Sequence, residues 1–261
     1  MFRFIAVILS IVVVTSTVLN IYMLAPISST VLIEDIPNFS EYKYSFEELV
    51  GTIENFEETA TQNHTVSDQR SKIVQIAMGE VGTMEEPAGS NNIKYNHWYT
   101  AEHPGIGTRP HYCAIFTMWC LKENGMYVKG SRTSPAVDSA SCDTLGDTYI
   151  QNKRFMYAWS EYEPRPGDII LFSWKRVKAN TLSGFDLSHA GIVTEYDGEY
   201  VYTVEGNTSG IKGVDRNGDG VFAKKYKVGP GIKGDVIGYG IPWYSGDENF
   251  KSEDCMKVDS Y

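Results

Sequence analysis

Residues 188–206 read SHAGIVTEYDGEYVYTVEG. Two runs rich in Val, Ile, Tyr and Thr flank Asp197-Gly198, a dipeptide that favours the tight turn of a β-hairpin, so the stretch predicts two antiparallel strands. Working outward, Pro166-Gly167-Asp168 introduces the run IILFSW, and VFAKKYKV and VIGYGIPWY follow the hairpin as further strands. Upstream the period changes. Ile73, Val74, Ile76, Ala77, Met78 and Val81 fall at helical spacing with Gly82 as the stop, and residues 112–125, YCAIFTMWCLKENG, read as a buried helix ending at Gly125. Helices followed by an antiparallel sheet predict an α+β fold.

The remaining composition sets the organisation of the 261 residues. Phe4 to Leu24 is apolar almost throughout, and at about 1.5 Å per residue it reaches across a hydrocarbon core of about 30 Å. Arg3 precedes it and no basic residue follows until Lys43, so the chain beyond is expected outside the cytoplasm, behind a membrane anchor or a cleaved signal at 1–24. Residues 25–69 carry nine acidic residues against one lysine, most of the net charge of −10. They read as an acidic stalk, interrupted by a short amphipathic helix that Ser45 and Glu48 would cap. A domain at 70–244 is long enough to bury one core, and 245–261 reads as a polar tail. No basic stripe is present, which excludes a nucleic-acid partner.

Four cysteines in an exported chain raise the question of disulfides. Cys113 and Cys120 lie two helical turns apart, too far to join, while Cys142, in the loop-like run DSASCDTLGD, has Cys255 as a possible partner. Cys113 is distinguished by standing at a helix start, where unpaired N–H groups favour a thiolate. Only one histidine, His189, lies downstream of it, followed by the small residues Ala190 and Gly191 that would leave room for a substrate. Glu205 or Asn207 would orient the imidazole, completing a set for nucleophilic amide cleavage. Core packing alone is the competing explanation for each residue taken singly.

Hairpin register bears on that choice. A three-residue loop, Tyr196-Asp197-Gly198, pairs Glu195 with Glu199 and sets His189 opposite Glu205 on one face. A two-residue Asp197-Gly198 turn would place Gly206 opposite His189 and turn Glu205 away. The first register is the expected one.

IVQIAMGEVGTMEEPAGSNNIKYNHWY, YCAIFTMWC, RPGDIILFSW, SHAGIVTEYDGEYVYTVEGNTS and VIGYGIPWY together resemble, in order, the CHAP domains (cysteine, histidine-dependent amidohydrolases/peptidases) of bacterial and phage cell-wall hydrolases. The resemblance covers roughly residues 70–244. It implies a papain-like fold with helices packed on a partly barrel-like sheet, Cys113 as nucleophile, His189 as base and Glu205 or Asn207 as orienter. It also implies peptidoglycan as substrate, cut at the muramoyl–alanine amide or at a stem or bridge peptide bond, with no cofactor required. Two features depart from the family. Tyr112 stands where many members have Trp, a change expected to alter the substrate groove. In the inserted DRNGDG, Asp215, Asn217 and Asp219 match the first half of a calcium loop, but Tyr226 occupies the place of its bidentate Glu. An inactive wall-binding module, or a membrane-anchored structural subunit of a secretion or conjugation apparatus, are the alternative functions.

Overall fold

The computed structural model describes residues 69–174, 178, 180–210, 218–229, 232, 234–247 and 250, all within the second of the chain's two units, Thr59–Tyr261. The expected membrane segment, acidic stalk and most of the tail lie outside the described residues. No described helix is long and apolar enough to cross a membrane.

Among the described residues four helices come first: α1 over 69–79, α2 Lys94–Glu102, α3 Cys113–Glu123 and α4 Cys142–Gln151. Six strands follow: β1 Phe155–Tyr157, β2 Ile169–Phe172, β3 His189–Tyr196, β4 Tyr200–Thr208, β5 Gly220–Lys227 and β6 Val236–Gly240. They form one antiparallel sheet in the order β1-β6-β2-β3-β4-β5, so the fold is α+β. The sheet is open: among the described residues no ladder joins its edge strands β1 and β5 into a barrel.

Period-2 alternation divides the sheet into two buried faces. Ile169, Leu171, Ala190, Ile192 and Val204 join the helices in the main core. Ile170, Phe172, Val193, Val201 and Tyr239 form a second cluster on the other side. Helix α3 packs on β3 and β4, and Gly206 permits this approach: a Cβ there would lie 2.7 Å from that of Phe116. Helix α1 buries Ile73 and Ala77 but leaves Met78 exposed, as is Val81 in the turn beyond its end, so the helix is shorter and its inward stripe narrower than the apolar run.

Arg70 on α1 reaches Asp168 at 2.9 Å and Asp247 at 2.6 Å, tying the first helix to the start of β2 and to the segment after β6. Tyr162 donates to the other oxygen of Asp168.

Two sequence expectations change, and one strand is added. The loop-like run around Cys142 is helix α4, capped by Ser141, whose hydroxyl accepts from the Thr144 amide, and anchored by buried Leu145 and Tyr149. Strand β1 is too short to show periodicity, yet it pairs with β6.

The hairpin register also differs. Gly198, with φ at +94°, and Glu199 form the loop, while Asp197 donates its amide to the Tyr200 carbonyl and accepts from the amides of Glu199 and Tyr200. Tyr196 pairs with Val201 and Glu195 with Tyr202, but Val193 pairs with Thr203, so Thr194 is an extra residue, a β-bulge. His189 is therefore not opposite Glu205.

Candidate active site

Tyr112 occupies the N-cap of α3 with no capping side chain, and the first helical bond runs from Phe116 N to Tyr112 O. The amides of Cys113, Ala114 and Ile115 thus precede the helix's own ladder, and that of Ala114 turns to the Cys113 sulfur. Tyr112 is fully buried, packing towards Tyr95 at 5.9 Å and against Gly206. The residue that replaces the family's Trp thus sits in the core, not on the wall of a groove.

His189 is the first residue of β3 and is wholly buried. Its strand alternation sets it on the face of Phe172 and Val193, away from α3, so thiol and imidazole meet where both elements begin. Nε2 and Glu205 Oε2 are 2.9 Å apart. Nδ1 makes no ordinary hydrogen bond, and this leaves that nitrogen to the thiol, with which the ring interacts strongly enough for each to shift the other's titration. Rings of Phe172 and Trp174 flank the imidazole at 5.5 and 6.0 Å.

Glu205 is fully buried and polar contacts surround its carboxylate. Oε2 also accepts from the Tyr226 hydroxyl at 3.1 Å, and Oε1 from Thr203 at 2.6 Å. Burial first, then the carboxylate itself, push the Tyr226 phenol up, which keeps it a neutral donor. Gly191 makes room for this carboxylate, since a Cβ there would stand 2.5 Å from Glu205 Cγ. The small residue after His189 thus accommodates the acid rather than an approaching substrate.

Burial alone would lower the His189 pKa, but the Cys113 thiol and Glu205 outweigh it and push it up to about 10. The reverse holds at Cys113. Hydrogen bonding from Cys142 is the largest influence, burial opposes it, and His189 adds to it, so the thiol is held well below its ordinary range. A thiolate beside an imidazolium is the resulting charge state.

The Cys142 sulfur lies 3.7 Å from that of Cys113, and both thiols are free. Cys255 is outside the described residues, so its suggested pairing with Cys142 falls there too. Cys120, mid-helix and fully buried, has its pKa pushed up by burial.

Asn207 lies two residues beyond Glu205 at a ladder irregularity between β4 and β5, with φ at +59° and its carbonyl accepting from the Gly218 amide. The contact with His189 comes from Glu205. Of the calcium candidates, Asp215 and Asn217 lie outside the described residues, and the backbone carbonyl of Asp219 accepts from the Glu85 amide at 2.8 Å. No group of three His, Cys, Asp or Glu side chains set to hold a metal occurs among the described residues.

Sequence reasoning missed three contributors. Thr203 was accessible to it, being two residues from Glu205 and so on the same face of β4. Tyr226 depends on β4–β5 register, and Cys142 on a helix that its composition hides. A cleft of about 590 Å³ lined by Tyr99, His103, Pro110, His111, Asp138 and Ser141 includes residues that flank both cysteines in the chain.

A thiol at a helix start, an imidazole and a buried carboxylate on an α+β framework are the equipment of a cysteine–histidine hydrolase. Residues 104–207 match the family model of the CHAP domain, a span that holds Cys113, His189, Glu205 and Asn207. That stretch is similar to the CHAP domains, a family that generally comprises amidases and peptidases. No curated protein matches the chain. Among solved structures, the crystal structure of Ly7917 is similar at 14% identity and a TM-score of 0.30, over 66% of this chain and 62% of that one. The match thus spans less than two thirds of that protein's length, and at this score it adds no argument.

Proposed function

We propose that the chain is a peptidoglycan hydrolase that cuts an amide, either the muramoyl–alanine bond or a stem or bridge peptide bond, with Cys113 as nucleophile. The observation that carries this reading is the 2.9 Å contact of His189 with a buried carboxylate, in a ring whose other nitrogen is left to a thiol of lowered pKa. The arrangement is of the papain kind: nucleophile at a helix start, base on an antiparallel sheet.

In the reaction, the Cys113 thiolate attacks the amide carbonyl and the Cys113 amide, ahead of the helix's own ladder at the start of α3, receives the oxyanion. His189, held by Glu205 through Nε2, gives the Nδ1 proton to the leaving amine as the C–N bond breaks. Water then attacks the thioester, losing a proton to Nδ1, and the C–S bond breaks to release the acid and restore the thiolate beside the imidazolium. Glu205 orients the ring and stabilises its charge. Asn207 is at most a helper. This chemistry requires no cofactor. The one-sided charge around residues 4–24 supports action outside the cytoplasm, on a membrane anchor or after release.

The test is digestion of purified peptidoglycan by the full chain, with mass spectrometry of the products. New amines paired with new carboxyl ends are expected, and none from Cys113→Ala. Binding without any cleavage would replace this reading with that of a wall-binding module.

A further inference from the structure

Two helix starts converge at the site. Cys113 is the first residue of α3 and Cys142 the first of α4, and their sulfurs stand 3.7 Å apart. A disulfide needs about 2.05 Å, and van der Waals packing alone would not require a polar atom, so the relationship is that of a sulfur hydrogen bond. Its direction follows from the surroundings. Cys113 faces His189 on β3, behind which stands Glu205 on β4, whereas Cys142 faces Cys113 and has Asp143 next to it on α4. Cation on one side and carboxylate on the other leave the negative charge on Cys113 and the proton on Cys142.

We propose that Cys142 is a positioning residue for the nucleophile: its S–H donates to the Cys113 sulfur and replaces the water that burial removes from the thiolate. The inference rests on Cys113 being the nucleophile. With Cys113 only 5% exposed, solvation of its charge must come from protein groups. The Ala114 amide and the imidazole supply part, and the second thiol supplies a donor from a different element. The bond also sets where the sulfur points, because α4 is fixed by its Ser141 cap. A hydroxyl at the same place would retain a donor, and a methyl group would not.

The experiment is iodoacetamide alkylation of the full chain in detergent across pH, followed at the Cys113 peptide by mass spectrometry, for wild type, Cys142→Ala and Cys142→Ser. The midpoint for Cys113 is expected to rise by about one unit in Cys142→Ala, roughly a tenfold slower reaction on the acid side, and to return most of the way in Cys142→Ser. An unchanged midpoint in Cys142→Ala overturns the proposal, including where the variant melts lower, since that is a packing role alone. Where Cys142→Ala fails to fold, Cys142→Ser decides: a midpoint near that of an ordinary cysteine overturns it. Alkylation does not depend on peptidoglycan. A shifted midpoint in a chain that cuts no peptidoglycan would leave this assignment standing and remove the proposed activity.

Discussion

Glu205 meets His189 across the sheet although the two are not directly paired, and a single inserted residue makes the meeting possible. From the turn, Tyr196↔Val201 and Glu195↔Tyr202 would continue to Ile192 opposite Glu205, placing the carboxylate on the face of α3. The bulge at Thr194 restores Val193↔Thr203, which puts Glu205 on the face of His189, diagonally across from it. The 2.9 Å contact is thus a product of turn and bulge together.

Deleting Thr194 should therefore cost far more than truncating it. Thr194 is half-buried and contributes its backbone, so Thr194→Ala is expected to keep activity within about twofold and the deletion to lose about 10²-fold, the scale of a lost base. Peptidoglycan release assays, with circular dichroism to confirm the sheet, make the comparison. Equal activity in the deletion variant would show that the bulge does not set the contact.

Glu205→Gln is expected to lower turnover by about 10²-fold and Asn207→Ala by less, because the 2.9 Å contact with His189 belongs to the carboxylate. Tyr226→Phe removes one of three donors to Glu205 and should cost about 1 kcal/mol of stability, with a smaller loss of rate. Turnover and thermal melts of the three variants decide the ranking. A larger loss from Asn207→Ala, at equal folding, would reverse it.

The parts of this site that were legible in the sequence are those fixed by local chemistry. Alternating Val, Tyr and Thr marked the hairpin, and a cysteine before an apolar helix marked the thiol. Helix α4 was hidden because CDTLGDTYIQ combines glycine with residues of poor helix propensity. Gly146 is there for packing, since a Cβ would lie 2.2 Å from Leu187 Cδ1, and Ser141 supplies the cap. With α4 read as loop, Cys142 had no reason to approach Cys113. The bulge was illegible for a different reason: Thr194 suits a regular strand as well as a bulge, and only the paired register distinguishes them. The carboxylate that contacts His189 is thus reached from the sequence through a register the strands do not adopt.

The pH profile follows from the raised imidazole and the lowered thiol. His189 keeps its proton until pH rises through about 10, and Cys113 is ionised above its lowered pKa, so the productive pair spans the neutral range. The two values belong to the pair as a whole. Hydrolysis is expected to hold through neutral pH and to fall as pH rises towards about 10, where the proton for the leaving amine is lost. Glu205→Gln should move that alkaline fall to lower pH. A wild-type fall near the ordinary histidine range of about 6.5 would contradict the ion pair.

Cys113→Ala should abolish hydrolysis with little change in melting temperature, whereas Cys120→Ala should retain activity and lose about 1 kcal/mol of stability. Cys120 is fully buried in α3 with its thiol pushed up by burial, so it serves as packing. Comparable activity loss from both folded variants would remove the distinction.

Arg70 provides the test of how the first helix is held. Its guanidinium bonds the carboxylates of Asp168 and Asp247 and the Pro166 carbonyl, and it stacks over Tyr244 at 4.3 Å. Asp168 is wholly buried, so Arg70→Ala leaves a carboxylate in the core whose main cation is gone. Breaking a buried pair from one side costs about 3 kcal/mol or more. Asp247→Asn should cost less, because Arg70 then retains Asp168 and Pro166. Burial raises the Asp247 pKa but Arg70 and Arg165 outweigh it, leaving the group below the ordinary value for an aspartate. Its contribution is therefore present above that value and is lost as pH falls through the lowered pKa. Urea denaturation at neutral and acid pH measures both effects. The expected order of stability is wild type, Asp247→Asn, then Arg70→Ala, with the first two converging as the medium becomes strongly acidic. An Arg70→Ala variant as stable as wild type would show that α1 is held by Ile73 and Ala77 alone.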